Sequence, residues 1–132
     1  MKRETLNHSL FKVFEKIGRE RGFSSESLTE NALKNLLKSV WWITGFRKAT
    51  DNEDKKRGID FVIETTNVGD IFLQVKSSEI GKKESLKKHP KIPVVIINRG
   101  LTLEEIQKRI KKTLSNQRDY YLSKKITASK NL

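Results

Sequence analysis

The segment Gly58–Ser78, GIDFVIETTNVGDIFLQVKSS, constrains the fold more than any other part of the chain. Two runs in which apolar residues recur at every second position, Ile59–Thr65 and Ile71–Ser77, flank the turn TNVGD, the pattern of a β-hairpin. Side chains alternate across a strand, so Ile59, Phe61, Ile63, Ile71, Leu73 and Val75 share one face, which belongs to the core. Asp60, Val62, Glu64, Phe72, Gln74 and Lys76 share the other. A one-residue slip would turn the whole apolar set to solvent, so the pattern forbids it. A turn centred near Val68 sets Asp60 opposite Lys76 and Val62 opposite Gln74; a slip of two residues sets Asp60 opposite Gln74 instead. Either register gathers Asp60, Gln74 and Lys76 on one face, within a few ångströms of one another.

Helical periodicity appears on both sides of this hairpin. Leu6, Leu10, Val13, Phe14 and Ile17 recur at helical spacing over residues 3–21, and Gly22 is a stop signal. Leu28, Ala32, Leu33, Leu36, Leu37 and Val40 form the stripe of a second helix, opened by a Ser27–Glu30 capping box or by Thr29. VWWITGFRKAT reads as a strand. One of its adjacent tryptophans belongs in the core; the other covers a helix or an interface, or stacks on a nucleobase. Asp51 to Arg57 reads as a loop. EIGKKESLKKHPK is a basic connection with room for a short helix, and IPVVIIN is apolar enough for a strand buried on both faces. Thr102 and Glu105 offer a capping box for a last helix carrying Leu103, Ile106, Ile110 and Leu114. The order α-α-β-β-β-(α)-β-α predicts an α/β fold. The sheet is expected to be mixed, with helices packed against it. Residues 1–122 are expected as one domain and 123–132 as a flexible basic tail.

A chain of 132 residues suffices for one core. Its formal net charge of +12 points to a polyanionic partner, nucleic acid before an anionic membrane surface. There is no cysteine, which excludes disulfides and thiolate metal sites, and His8 and His89 are too few for a histidine-rich one. MKRETLNHSL lacks the apolar region of a signal peptide and no run approaches membrane-span length, so the expectation is a soluble cytoplasmic protein.

Two readings of Asp60, Gln74 and Lys76 follow. A cross-strand Asp–Lys pair on a solvated sheet face is common and is worth only about 0–1 kcal/mol. The other reading comes from a resemblance. The pattern D-x(13)-Q-x-K, placed on a hairpin after an amphipathic helix and ending in QVKSS, resembles the PD-(D/E)xK, or restriction-endonuclease-like, nuclease superfamily over residues 24–98. Ile59 stands where the family name has proline, and Gln74 where it has an acid. An amide oxygen can ligate Mg²⁺ but brings no negative charge.

The resemblance implies a restriction-endonuclease-like core: a helix then a three-stranded antiparallel meander, a crossover connection and a further buried strand, flanked by helices. It also implies a metal-dependent endonuclease that hydrolyses DNA phosphodiesters with Mg²⁺ or Mn²⁺. Asp60 would be the essential ligand, with the Gln74 side-chain oxygen and the Val75 carbonyl beside it. Lys76 would orient the attacking water or stabilise developing charge. A helix-borne glutamate would restore the missing charge. Glu30, on the flank of its helix's stripe beside Leu33 and Leu37, is the expected residue, with Glu20 in reserve. Lys55, Lys56, Arg57, Lys82, Lys83, Lys87 and Lys88 would flank the cleft as phosphate contacts. A domain this small would cut a duplex most simply as a homodimer. The alternatives are a non-catalytic nucleic-acid-binding protein on the same fold, degraded at Gln74, and a basic structural subunit of a nucleoprotein assembly.

Overall fold

The computed structural model describes residues 25–130; the helix expected over 3–21 lies outside the described residues. The first element, α1 (Ser25–Ser39), begins ahead of both expected caps. Ser27 therefore sits inside the helix, and the Thr29 hydroxyl donates back to the Ser25 carbonyl (2.7 Å) instead of capping. Ala32, Leu33, Leu36 and Val40 are buried as their spacing predicts, while Leu37 stays at the surface. A turn at Trp41–Trp42 precedes β1 (Ile43–Lys48), so the strand is shorter than its aromatic run suggested. Trp42 enters the core and Trp41 does not.

The expected loop at 51–57 is instead a helix, α2 (Asp51–Arg57). Its cause is a capping box: the Glu53 N–H donates to Thr50 Oγ1 (3.2 Å), and the Thr50 N–H donates to Glu53 Oε1 (2.9 Å). Gly58 closes the helix in the left-handed conformation (φ 67°), which glycine adopts without a Cβ penalty.

The hairpin forms as β2 (Phe61–Thr65) and β3 (Asp70–Lys76). Phe61 faces Leu73 and Glu64 faces Asp70, which centres the turn on Asn67 rather than Val68. The shift follows from the turn itself. Thr65 Oγ1 donates to the Gly69 carbonyl (2.6 Å) and accepts from the Val68 N–H (3.1 Å), and Gly69 takes φ 76°. The faces remain as predicted: Phe61, Ile63, Ile71, Leu73 and Val75 all join the core.

A parallel neighbour for β3 requires a crossover. That crossover is α3 (Glu79–Lys88), leading to β4 (Val94–Ile96), parallel to β3. Val94, Val95 and Ile97 are buried, but Ile96 is only half-buried. The four-stranded sheet has the order β1-β2-β3-β4. Its last partner, α4 (Leu103–Lys130), opens with the predicted capping box, Thr102 and Glu105 exchanging two 3.1 Å hydrogen bonds. Ile106, Ile110 and Leu114 complete the core with α1, whereas Leu103 is exposed. With no Gly or Pro after Leu103 to stop it, this helix continues to Lys130, into the segment expected as a tail. α1 and α4 thus cover one face of a mixed sheet, and α2 and α3 flank the other.

Candidate functional site

Extending the β2–β3 register by one pair puts Asp60 opposite Gln74, at the end of the sheet where β2 begins. Backbone contacts fix Asp60 there. Its N–H donates to the Leu73 carbonyl (2.8 Å), and its carbonyl accepts from the Ala49 N–H (2.9 Å). Its Oδ2 accepts from the Val75 N–H at 2.7 Å, so Val75 enters the site through its amide. The residue is 7% exposed. Lys76, although on the same face, has no ion-pair partner among the described residues, so the solvated Asp–Lys pair is not formed.

The acidic neighbour of Asp60 is Glu26, in the first turn of α1. Burial pushes the Asp60 carboxyl up to about 7. The Val75 hydrogen bond opposes this by favouring the ionised form, while the charge and hydrogen bond of Glu26 and the charge of Asp54 raise it further. Two carboxyl groups are therefore held close together, one of them out of water, with no cationic side chain among the described residues paired to Asp60.

Across the ladder, Gln74 is 5% exposed, and its N–H donates to the Pro93 carbonyl (3.0 Å). Its side-chain Oε1 is buried and has no hydrogen-bond partner among the described residues. Leaving such an acceptor unmade costs about 1–3 kcal/mol, so it calls for a reason other than stability. Gln74 and Lys76 line a pocket of about 220 Å³ together with Asp54, Lys55, Lys88 and His89. Lys76 reaches it past Gly81, and Gly58 lies under the His89 ring, where a Cβ would stand 2.3 Å from Cδ2. His89 is thus part of the pocket wall.

Other expected residues lie elsewhere. Glu30 faces Lys48 (3.4 Å), one turn along α1 from Glu26. Glu20 lies outside the described residues. The basic side chains do not all flank one cleft. Lys55 and Lys88 line the pocket, and Arg57 lies over the Phe72 ring (4.9 Å). Lys82 lines a second groove, of about 420 Å³, with Arg109 and Lys112. Lys56, Lys83 and Lys87 are exposed on α2 and α3, outside both. They are spread because successive helical residues point about 100° apart.

A hard divalent cation takes oxygen ligands. The Asp60–Glu26 pair and the orphaned Gln74 Oε1 are donors of that kind, and a cation would relieve the repulsion between the carboxylates. Among the described residues no three His, Cys, Asp or Glu side chains form a metal-holding group, so the amide oxygen and water would have to complete the shell. Also among the described residues, no helix is long and apolar enough to cross a membrane. No protein-family model, curated protein or solved structure matches the chain.

Proposed function

We propose that the chain is a metal-dependent endonuclease that hydrolyses DNA phosphodiesters in the cytoplasm, on a restriction-endonuclease-like core. The observation that carries this reading is the buried Asp60 carboxyl set beside Glu26, across the ladder from an unsatisfied Gln74 oxygen. The order of elements supports it: a helix bearing Glu26, a meander bearing Asp60 and Gln74-Val75-Lys76, then a crossover to a parallel strand.

Asp60 and Glu26 would hold the cation, with Gln74 Oε1 as a neutral donor. Bound there, Mg²⁺ or Mn²⁺ supplies a water of lowered pKa and polarises the phosphate. Lys76 would stabilise charge developing on the phosphate oxygens, and Lys55 and Lys88 would hold flanking phosphates without reading sequence. A symmetric dimer would present two such sites to the two strands of a duplex.

The test is a cleavage panel over duplex, branched and single-stranded DNA with Mg²⁺ or Mn²⁺. Wild type is expected to cut at least one substrate, Asp60→Ala to leave all of them intact, and Lys76→Ala to cut roughly 10²–10³-fold more slowly. Intact DNA in every wild-type reaction, or equal cutting by Asp60→Ala, overturns the proposal. The neutral Gln74 favours one second reading, a nucleic-acid-binding protein whose site has lost its chemistry. Cleavage that appears only in Gln74→Glu would establish that alternative.

A further inference from the structure

The proposed chemistry leaves one aromatic cluster unused. Trp41 is 74% exposed, whereas its neighbour Trp42 is 6% exposed. The Arg118 guanidinium of α4 lies 5.4 Å from the Trp41 ring centre and 5.1 Å from that of Trp42, within cation–π range of both. Its Nε donates to Asn67 Oδ1 (3.4 Å), which links the cluster to the hairpin turn. Trp41 is therefore both largely in water and positioned by a cation. Lys38, in the last turn of α1, and Arg118 give the surroundings the sign that attracts phosphate.

We propose that Trp41 is a stacking platform for an unpaired nucleobase. Every base has a π-face, and aromatic rings set among basic side chains are how proteins grip single strands without reading sequence. Arg118 would keep the indole oriented and add positive charge beside the base. At 1.5 Å per residue, α1 separates Glu26 from Ser39 by about 20 Å, so the platform and the Asp60 site lie at opposite ends of one helix. Resting on the proposed affinity for nucleic acid but not on cleavage, this contact would hold an unpaired segment of a branched or frayed substrate.

The experiment titrates full-length Asp60→Ala protein with an oligothymidylate and with a blunt duplex, following tryptophan emission and oligonucleotide anisotropy. The single strand is expected to quench emission and the duplex to leave it unchanged. Adding Trp41→Ala should abolish the quench and weaken single-strand affinity about 5- to 150-fold. The slope of log affinity against log salt should not change, because an indole neutralises no phosphate. Trp41→Phe, which keeps a ring, should recover part of the loss. Equal quenching by the duplex, or unchanged single-strand affinity in Trp41→Ala, overturns the proposal. So does a concentration-dependent dimer that Trp41→Ala dissociates. If cleavage fails in the wild type while the quench persists, only the nuclease reading falls.

Discussion

Asp60→Asn should make this protein more stable at pH 8 and leave it nearly unchanged at pH 4. The carboxyl is carried from an ordinary value of 3.8 up to about 7 by burial and by its acidic neighbours. Between those two values the unfolded chain has released the Asp60 proton while the folded chain still holds it. The folded state then binds more protons, so stability falls as pH rises and the loss is complete above pH 7. At about 1.4 kcal/mol per pH unit, the ionised carboxylate destabilises the fold by about 4 kcal/mol. Asparagine removes the charge and keeps an oxygen for the Val75 N–H, so most of that loss should be recovered. The assay is urea unfolding of both proteins from pH 4 to 8. The difference should be near zero at pH 4 and rise to about 4 kcal/mol at pH 8, or roughly 15 °C in Tm. Taking the difference between the two proteins cancels carboxylates such as Glu53, held near 2 by Arg47 and Thr50, whose contribution is lost only on acidification. An asparagine variant no more stable than wild type at pH 8 would refute the idea that Asp60 is buried against its own charge.

Four further outcomes are expected. Glu26→Gln should reduce metal-dependent cleavage by at least the roughly 10- to 100-fold seen when a metal's supporting group is lost. Glu30→Gln breaks only the surface contact with Lys48, so a kinetic assay should show no effect and stability should move by less than about 1 kcal/mol. Gly58→Ala should lose more than about 1–2 kcal/mol in thermal unfolding, since alanine resists φ 67° and its Cβ meets His89; adding His89→Ala should restore part of the loss. Lys76→Ala should fold normally by circular dichroism while cleavage falls roughly 10²–10³-fold, the scale of one lost charge-stabilising group.

The hairpin was legible because apolar residues at every second position mark its core face, as Ile63 and Leu73 show, although Val62 and Gln74 of the opposite face are buried as well. Its register was only half legible. The pattern excludes odd slips but is blind to a slip of two, and the choice was made by the Thr65 hydroxyl and the positive φ of Gly69. The 51–57 helix was missed because its charged residues carry no apolar stripe; none of them is buried. Thr50 followed by Glu53 was the available signal, the same pattern that correctly marked Thr102 and Glu105. Side chains four apart share a helix face, so the sequence pattern does not choose between Glu26 and Glu30, whereas the start of α1 sets Glu26 beside Asp60. The burial of Asp60 and the unpartnered oxygen of Gln74 arise from packing by several elements, which no local pattern encodes.

Calorimetric titration of Mn²⁺ into wild type and Asp60→Asn at pH 8 tests the carboxylate site most directly. Wild type should bind at a site whose heat disappears in the variant. No binding to wild type, or the same heat from both proteins, would mean that Asp60 and Glu26 are not there to hold a cation.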